Sequence, residues 1–374
     1  MKKTKVLQFI HGFSMGGAET LVKEYCLKLN KEKYDLSVLC FHRYGTPYEK
    51  ILEEAGIRVT YASDYIKDYD RIAHKYPGRL FMLWKRFLFL KGQLKREAPD
   101  VLHFHMALSV YVLLAGLDKN VKMLRTVHSE PKKRWNNSPG RRIDFYATKR
   151  LVKKYHLQFI TLHDSMRKEV NEMFGVNDSL VLNNGIDFSK FETAQPKEVV
   201  REREGIPKDA YVIGHVGRFN ALKNHGFIVE IFSEIYKKNP NAFLLLVGNG
   251  SLREQTEIQL KQLGLENRYK ILSNRTDIPD LMNCMDKFLF PSKYEGLGIV
   301  LIEAQKIGLE CIISSVVPDA AIVSNLIKKV DLRESAEVWA EEIVNFSVDH
   351  VTYQKIEEWD MKQVVLRLEE IYAM

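Results

Sequence analysis

Short runs of aliphatic, β-branched and aromatic residues recur along the chain, most of them followed by a stretch whose apolar positions follow a helical spacing. The first series is KVLQFI (5–10), DLSVLCF (35–41), DVLHFH (100–105), MLRTVH (123–128), LQFITL (157–162) and SLVLNNG (179–185). Glu19 to Leu29 and YEKILEEAG supply helical patterns between them. A second series runs through YVIGHVG, AFLLLVG, YKILSN, KFLFP and ECIIS, each again followed by a helical pattern. Such alternation predicts mainly parallel sheets with helices on both faces, so the chain reads as α/β, two doubly wound sheets in tandem.

Between the two series, residues 188–207 are polar, contain Pro196 and Pro207, and hold no apolar strand, which predicts a linker. The expected domains are therefore 1–187 and 208–352. Residues 353–374 read as a charged helix with Ile356, Trp359, Val364, Leu368 and Ile371 on a loosely helical spacing.

Length and composition agree with two domains: the chain has 374 residues and is 45% hydrophobic, enough to build real cores. The start, MKKTKVLQFIHGF, is interrupted by Gln8 and His11 and no small-residue cleavage site follows, so it reads as a first strand rather than a signal peptide. The longest uncharged apolar segment, Met106 to Leu117, is shorter than the roughly 18 to 20 residues that cross a bilayer. Cys26, Cys40, Cys284 and Cys311 have no metal-ligand spacing and are expected to fill core space in a reducing cytosol.

Charge adds an asymmetry. Residues 1–185 carry 33 Lys+Arg against 19 Asp+Glu (+14), the remainder 23 against 29 (−6), which together give the chain's +8. A basic half of that size points to an anionic partner, a membrane surface or a phosphorylated substrate. No RNP, helix-turn-helix or zinc-finger pattern supports nucleic acid.

Four stretches carry candidate chemistry. In FSMGGAET, Gly16 and Gly17 follow the first strand and precede a helix, a place where backbone can approach an anion; the alternative is a tight structural turn. In GHVGRFNALKNHGF, Gly217 is followed by Arg218 and Lys223, two cations suited to a diphosphate at a strand's carboxyl end or, otherwise, a solvated surface. In KYEGLGIVLIEAQ, Glu295 lies in a loop broken by Gly296 and Gly298, and a helix starting near Gly298 carries Glu303. The amides of Gly298, Ile299 and Val300 would offer free donors to a phosphate and the carboxylates would accept from sugar hydroxyls; the alternative is a helix-capping acid beside an incidental glutamate. His103, His105 and His128 end two strands and are expected to face one crevice, although a lone histidine is more often structural. No HExxH or carboxylate cluster accompanies them, so no metal site is expected. Asp68-Tyr69-Asp70 is a DxD in a polar, helix-like stretch and reads as a solvated turn. WKRFLFLKGQLKR (84–96) mixes aromatics with five basic residues and suits membrane contact or plain packing.

Taken together, the GGAE loop, the GRF-x3-K strand exit, the GNG turn at Gly248 to Gly250, RTDIPDLM (275–282) and E-x7-E at Glu295 to Glu303 resemble glycosyltransferase family 4, and within it the bacterial exopolysaccharide and capsule transferases. The resemblance spans nearly the whole chain and is most specific in the second half. It implies a GT-B fold, two Rossmann-like domains facing across a cleft, with the last helix (353–374) crossing back to the first domain. It implies retaining, metal-independent transfer from a nucleotide-diphosphate sugar, a UDP-sugar being the first choice, to a saccharide or lipid-linked acceptor. No cofactor beyond that donor substrate is expected.

By position the resemblance puts Arg218 and Lys223 on the donor diphosphate, Glu295 on the donor sugar, Glu303 on the ribose, Asp277 and Ile278 at the base, and Gly217, Gly296, Gly298 and Ile299 around the phosphates. Gly16 and Gly17 fall near the donor phosphate or acceptor, and His128 where a histidine touches the donor sugar or acceptor. His103 and His105 are assigned to the acceptor. Asn183, in LNNGID, replaces the family's usual proline. The implied location is cytoplasmic, peripheral at the inner membrane face. Two other readings stay open: a nucleotide-sugar 2-epimerase on the same architecture, and a non-catalytic transferase-like subunit. An NAD-dependent oxidoreductase is disfavoured by the missing GxGxxG.

Overall fold

The fold is a computed structural model, which describes residues 2–14, 16–67, 69, 78–106, 108–135 and 138–374. It separates into two compact units, one of residues 1–185 with 361–374 and one of residues 186–360.

In the first unit seven strands, β1 (Thr4–Ile10), β2 (Tyr34–Cys40), β3 (Arg58–Tyr61), β4 (Val101–His105), β5 (Lys122–Val127), β6 (Gln158–Thr161) and β7 (Leu180–Val181), form one sheet in the order β3-β2-β1-β4-β5-β6-β7. Every pairing is parallel. Alternation along each strand feeds two cores: Leu7, Phe9, Leu102 and Phe104 face one side, Val6, Val101, Leu124 and Ile160 the other. Helix Met361–Ala373 closes that second side through Met361, Val364, Val365, Leu368, Ile371 and Tyr372.

The second unit repeats the plan with six strands, β8 (Tyr211–Val216), β9 (Ala242–Val247), β10 (Tyr269–Leu272), β11 (Lys287–Phe290), β12 (Glu310–Ser314) and β13 (Ile327–Val330), in the order β10-β9-β8-β11-β12-β13. All are parallel, and the inner strands β9, β8, β11 and β12 are buried on both faces, with Val212, Phe243 and Phe288 on one side and Ile213, Leu244 and Leu289 on the other.

All eleven apolar runs of the sequence are strands. The two strands the pattern passes over, β3 (RVTY) and β13 (IKKV), are sheet edges, where charged side chains replace the apolar signature. Residues 188–207 are not a bare connection. Helices Ser189–Glu192 and Lys197–Glu204 fold into the second unit, where Val200 is fully buried and the Arg201 guanidinium donates to the carbonyls of Cys284, Lys208 and Ala210. Part of its polar character is internal: Lys197 and Arg201 pair with Asp286, and Arg203 with Asp277. The terminal segment also divides: Ile356 and Trp359 pack with Ile186, Phe188 and Leu297 of the second unit, and the helix joining the first unit begins only at Met361.

Candidate functional site

In the second unit the strand order reverses between β8 and β11, and in doubly wound sheets ligands gather at the carboxyl ends beside such a reversal. The exits of those two strands are the Gly217–Lys223 and Pro291–Gly298 loops. They are stitched together: the Lys293 amide donates to the Leu222 carbonyl at 2.8 Å, and Asn224 Nδ2 donates to the Pro291 carbonyl at 3.2 Å. Asn220 Oδ1 accepts from the amides of Leu222 and Lys223, which shapes the turn that carries the lysine.

Lys223 Nζ donates to Glu295 Oε1 at 2.6 Å and lies 4.5 Å from the centroid of the Phe290 ring. The two side chains are mostly buried, so the pair is fixed more firmly than a surface ion pair. Arg218 is exposed, and among the described residues no carboxylate pairs with it. Helix Ile299–Lys306 starts from Gly298, which sits at φ +84° and has no side-chain cap, so the first amides of the helix are left for a ligand or solvent. Glu303 is half-buried one turn in. These loops thus gather two cations, a helix N-terminus and two carboxylates at one strand-end edge.

A third loop braces them. Gly248 and Gly250 both sit at φ +155°, and a Cβ on them would lie 2.0 Å from the Gly217 carbonyl oxygen and 2.3 Å from that of Phe219. The GNG turn therefore supports the Arg218 backbone by direct contact that only glycine permits. Gly217 in turn makes room for the His215 ring, since a Cβ there would meet Nε2 at 2.7 Å. His215 and His225 lie buried beneath the loop; desolvation holds His215 well below the ordinary histidine range and takes His225 down to about 4, with Lys223 adding to both.

Asp277 is committed to its neighbours. Its carboxylate accepts from Arg275 Nε at 2.8 Å and from Arg203 Nη2 at 2.7 Å, and these bonds, Arg275 first, hold it below the ordinary carboxylate range. What Asp277 leaves for a ligand is backbone.

In the first unit the reversal lies between β1 and β4, and there the histidine assignment changes. His103 and His105 are fully buried, and all four ring nitrogens have partners inside the protein, so neither is presented to an acceptor. Period-2 alternation explains this: Gln8, His103, His105 and Thr126 point to the same side as Val6, Val101 and Leu124, the side covered by the terminal helix. They join Tyr372 and the half-buried His128 in one hydrogen-bonded seam. Burial lowers His103 and His128 to about 3 and takes His105 well below its ordinary value.

A second buried network holds the exit of β4. Met106 sits at φ +62°, and its carbonyl accepts from Arg125 Nη2 at 2.9 Å; the same nitrogen donates to Asp144 Oδ2 at 2.9 Å, which also accepts from Trp135 Nε1. Gly16 precedes the first helix at φ −97°, an ordinary conformation, and its carbonyl accepts from the Thr20 amide. Gly17 opens that helix. Gln8, Thr126, Tyr372, Arg125 and Asp144 carry no local motif; only the alternation along β1, β4 and β5 marks the first two. Asp68 and Asp70 of the DxD lie outside the described residues. Among the described residues no three His, Cys, Asp or Glu side chains are grouped to hold a metal ion, and no helix is long and apolar enough to cross a membrane.

Two Rossmann-like parallel sheets in succession, the second with this loop set, define a glycosyltransferase of the GT-B class. The fold matches the crystal structure of Anabaena Alr3699/HepE in complex with UDP and glucose with a TM-score of 0.73 at 18% identity, covering 99% of each chain. The Glycosyltransferase Family 4 description matches residues 15–190 and Glycosyl transferases group 1 matches residues 196–356, so the chain carries a glycosyltransferase domain of each of these two types. Among relatives, EpsF of Bacillus subtilis (strain 168), named as a glycosyltransferase, is 26% identical over 91% of this chain and 86% of its own. The UDP-Gal:alpha-D-GlcNAc-diphosphoundecaprenol alpha-1,3-galactosyltransferase of Escherichia coli is 25% identical over 79% and 76%.

Proposed function

We propose that this glycosyltransferase moves a sugar from a UDP-sugar to a lipid-linked saccharide in cell-surface polysaccharide synthesis, with retention at the anomeric carbon and without a bound metal. The observation that carries the reading is the Lys223–Glu295 pair at 2.6 Å beside an uncapped helix N-terminus. It sets a cation for the diphosphate next to a carboxylate for the sugar. Support for the donor and acceptor classes comes from the UDP bound by HepE and from the diphosphoundecaprenol acceptor named for the Escherichia coli relative.

In this reading Arg218, Lys223 and the amides of Ile299 and Val300 receive the negative charge that builds on the diphosphate as the C1–O bond breaks. The acceptor oxygen bonds to C1 on the face the phosphate leaves, and its proton passes to the departing phosphate oxygen. Glu295 holds a hydroxyl of the sugar and Glu303 the ribose, the backbone at Asp277 and Ile278 meets the base, and His128 contacts the sugar or the acceptor. Fixed cations then do the electrostatic work a metal does elsewhere.

A membrane-borne acceptor also fits the surface of the first unit. Helix Gly78–Glu97 shows Phe81, Trp84, Leu88, Lys91 and Lys95 outward in one stripe, and helix Pro139–Tyr155 shows Ile143 and Tyr146 among Arg141, Arg142, Lys149, Arg150, Lys153 and Lys154. Apolar residues ringed by cations suit the inner face of an anionic membrane. The test is a transfer assay in EDTA, with a panel of UDP- and GDP-sugars and undecaprenyl-diphosphate saccharides. An acceptor-dependent product with the donor's anomeric configuration is expected; a product formed from donor alone would support epimerisation instead.

A further inference from the structure

The buried seam of the first unit has a direction that follows from counting protons. Gln8 Oε1 only accepts, so the hydrogen in its 2.9 Å bond to His105 Nε2 belongs to the histidine. Both ring nitrogens of the fully buried His105 are taken up by Gln8 and His128, and burial together with the neighbouring rings His103 and His128 disfavours an imidazolium, so His105 carries no second proton and its Nδ1 accepts. The hydrogen in the 2.9 Å contact between His105 Nδ1 and His128 Nε2 is then donated by His128. On the other side, Gln8 Nε2 donates to Tyr372 Oη at 2.7 Å. The tyrosine's own proton, buried, needs an acceptor and finds His103 Nδ1 at 2.8 Å. His103 Nε2 finally donates to Thr126 Oγ1 at 2.7 Å. Every bond points the same way, from His128 inward.

We propose that His105, Gln8 and Tyr372 are positioning residues that fix His128 as its neutral Nε2–H tautomer, so that His128 offers a lone pair at Nδ1 to a substrate hydroxyl. Three features support this. The terminal helix does not need the chain in order to dock, because Tyr34 donates to the Glu369 carbonyl, Glu369 accepts from the Asn30 amide and Lys122 donates to the Ile371 carbonyl. Turning the Gln8 amide over would reverse every bond and leave His128 as the Nδ1–H form, so the chain has two states that a single amide selects. Burial, and after it the charges of Arg134 and Arg125, disfavour a second proton on His128. The substrate contact rests on the glycosyltransferase reading above; the tautomer does not.

Long-range proton–nitrogen NMR of the full-length protein, labelled with 15N-histidine, reads the tautomer directly. At pH 7 the expected signature for His128 is a protonated Nε2 and a bare Nδ1. Tyr372→Phe is expected to mix the two tautomers at His128 and to lower kcat about tenfold with KM for the donor little changed. Tyr34→Phe, which removes a hydroxyl from the same helix interface but lies outside the chain, should change neither. A wild-type His128 protonated at Nδ1 or on both nitrogens overturns the proposal, as does an unchanged signature in Tyr372→Phe. Should Tyr372→Phe fail to fold, the wild-type spectrum and Gln8→Leu decide it by the same signature. Loss of transfer activity in every assay with the expected spectrum intact would sink the functional reading and leave the tautomer assignment standing.

Discussion

The two units are built on one plan and spend their polar residues in opposite ways. Each is a parallel sheet whose order reverses beside its first strand, and each puts candidate chemistry at that reversal. In the second unit the chemistry is charged and carried on loops: a lysine held by a glutamate, an exposed arginine, an uncapped helix start and two glycines pressed against a neighbouring backbone. In the first it is neutral and carried within strands, a chain of rings and amides under a C-terminal helix. Loops with free donors suit a ligand of fixed chemistry, a diphosphate; a rigid neutral seam suits the orienting of one side chain. Net charge inverts this contrast, the half that holds the charged site being the acidic one. The first unit's excess of cations therefore serves its surface.

The sharpest break of this comparison is at Lys223. Lys223→Ala is expected to lower kcat by about 10² to 10³, the scale of one lost transition-state donor, while hydrogen exchange of the first unit stays near wild type. Near-normal turnover would move the charged chemistry elsewhere. Next comes the buried pair in the first unit: Asp144→Ala leaves Arg125 uncompensated among buried groups, and a loss of about 3 to 5 kcal/mol is expected in chemical denaturation followed by exchange in that unit. An unchanged midpoint would show that the guanidinium is satisfied without the carboxylate. Gly248→Ala acts on the other unit, where a Cβ 2.0 Å from a carbonyl oxygen at φ +155° forces the GNG turn off its neighbour. A cost of about 1 to 3 kcal/mol is expected, together with weaker nucleotide binding.

The pH dependence is shared by both units, since each buries neutral histidines. His103 and His128 stay neutral down to about pH 3 in the folded chain, whereas an unfolded histidine titrates near 6.5. Below pH 6.5 the unfolded chain therefore binds more protons, so stability is full above that value and falls as pH drops toward 3. Each such ring contributes a loss on the order of 2 kcal/mol by pH 5. Exchange-resolved denaturation should show both units weakening between pH 6.5 and 5, the first through the seam and the second through His215 and His225, while Asp277, held low by Arg275 and Arg203, contributes nothing to a loss in that window. Equal stability at both values would mean that the seam is already charged.

Much of this was legible in sequence. Apolar runs of four to seven residues mark a buried parallel strand unambiguously when helical stretches separate them, and the loops after two of those strands carried their cations and glycines in plain view. Two of the four edge strands, β3 and β13, were not legible, because Arg58 and Lys328 sit where an interior strand would place an aliphatic side chain. Nor was the fate of His103 and His105. Their spacing gave the shared face correctly, but which face the terminal helix covers depends on Tyr372, 269 residues beyond His103. Residues 188–207 misled for a related reason: Arg201 looks like solvent-facing charge until its carbonyl partners are in place.

The central claim is that the second unit holds a nucleotide diphosphate through Lys223, and calorimetric titration of UDP into wild type and Lys223→Ala tests it most directly. The account expects saturable one-site binding by wild type and at least tenfold weaker binding by the variant. Equal affinity in the two proteins, or no binding of UDP to wild type, would contradict it.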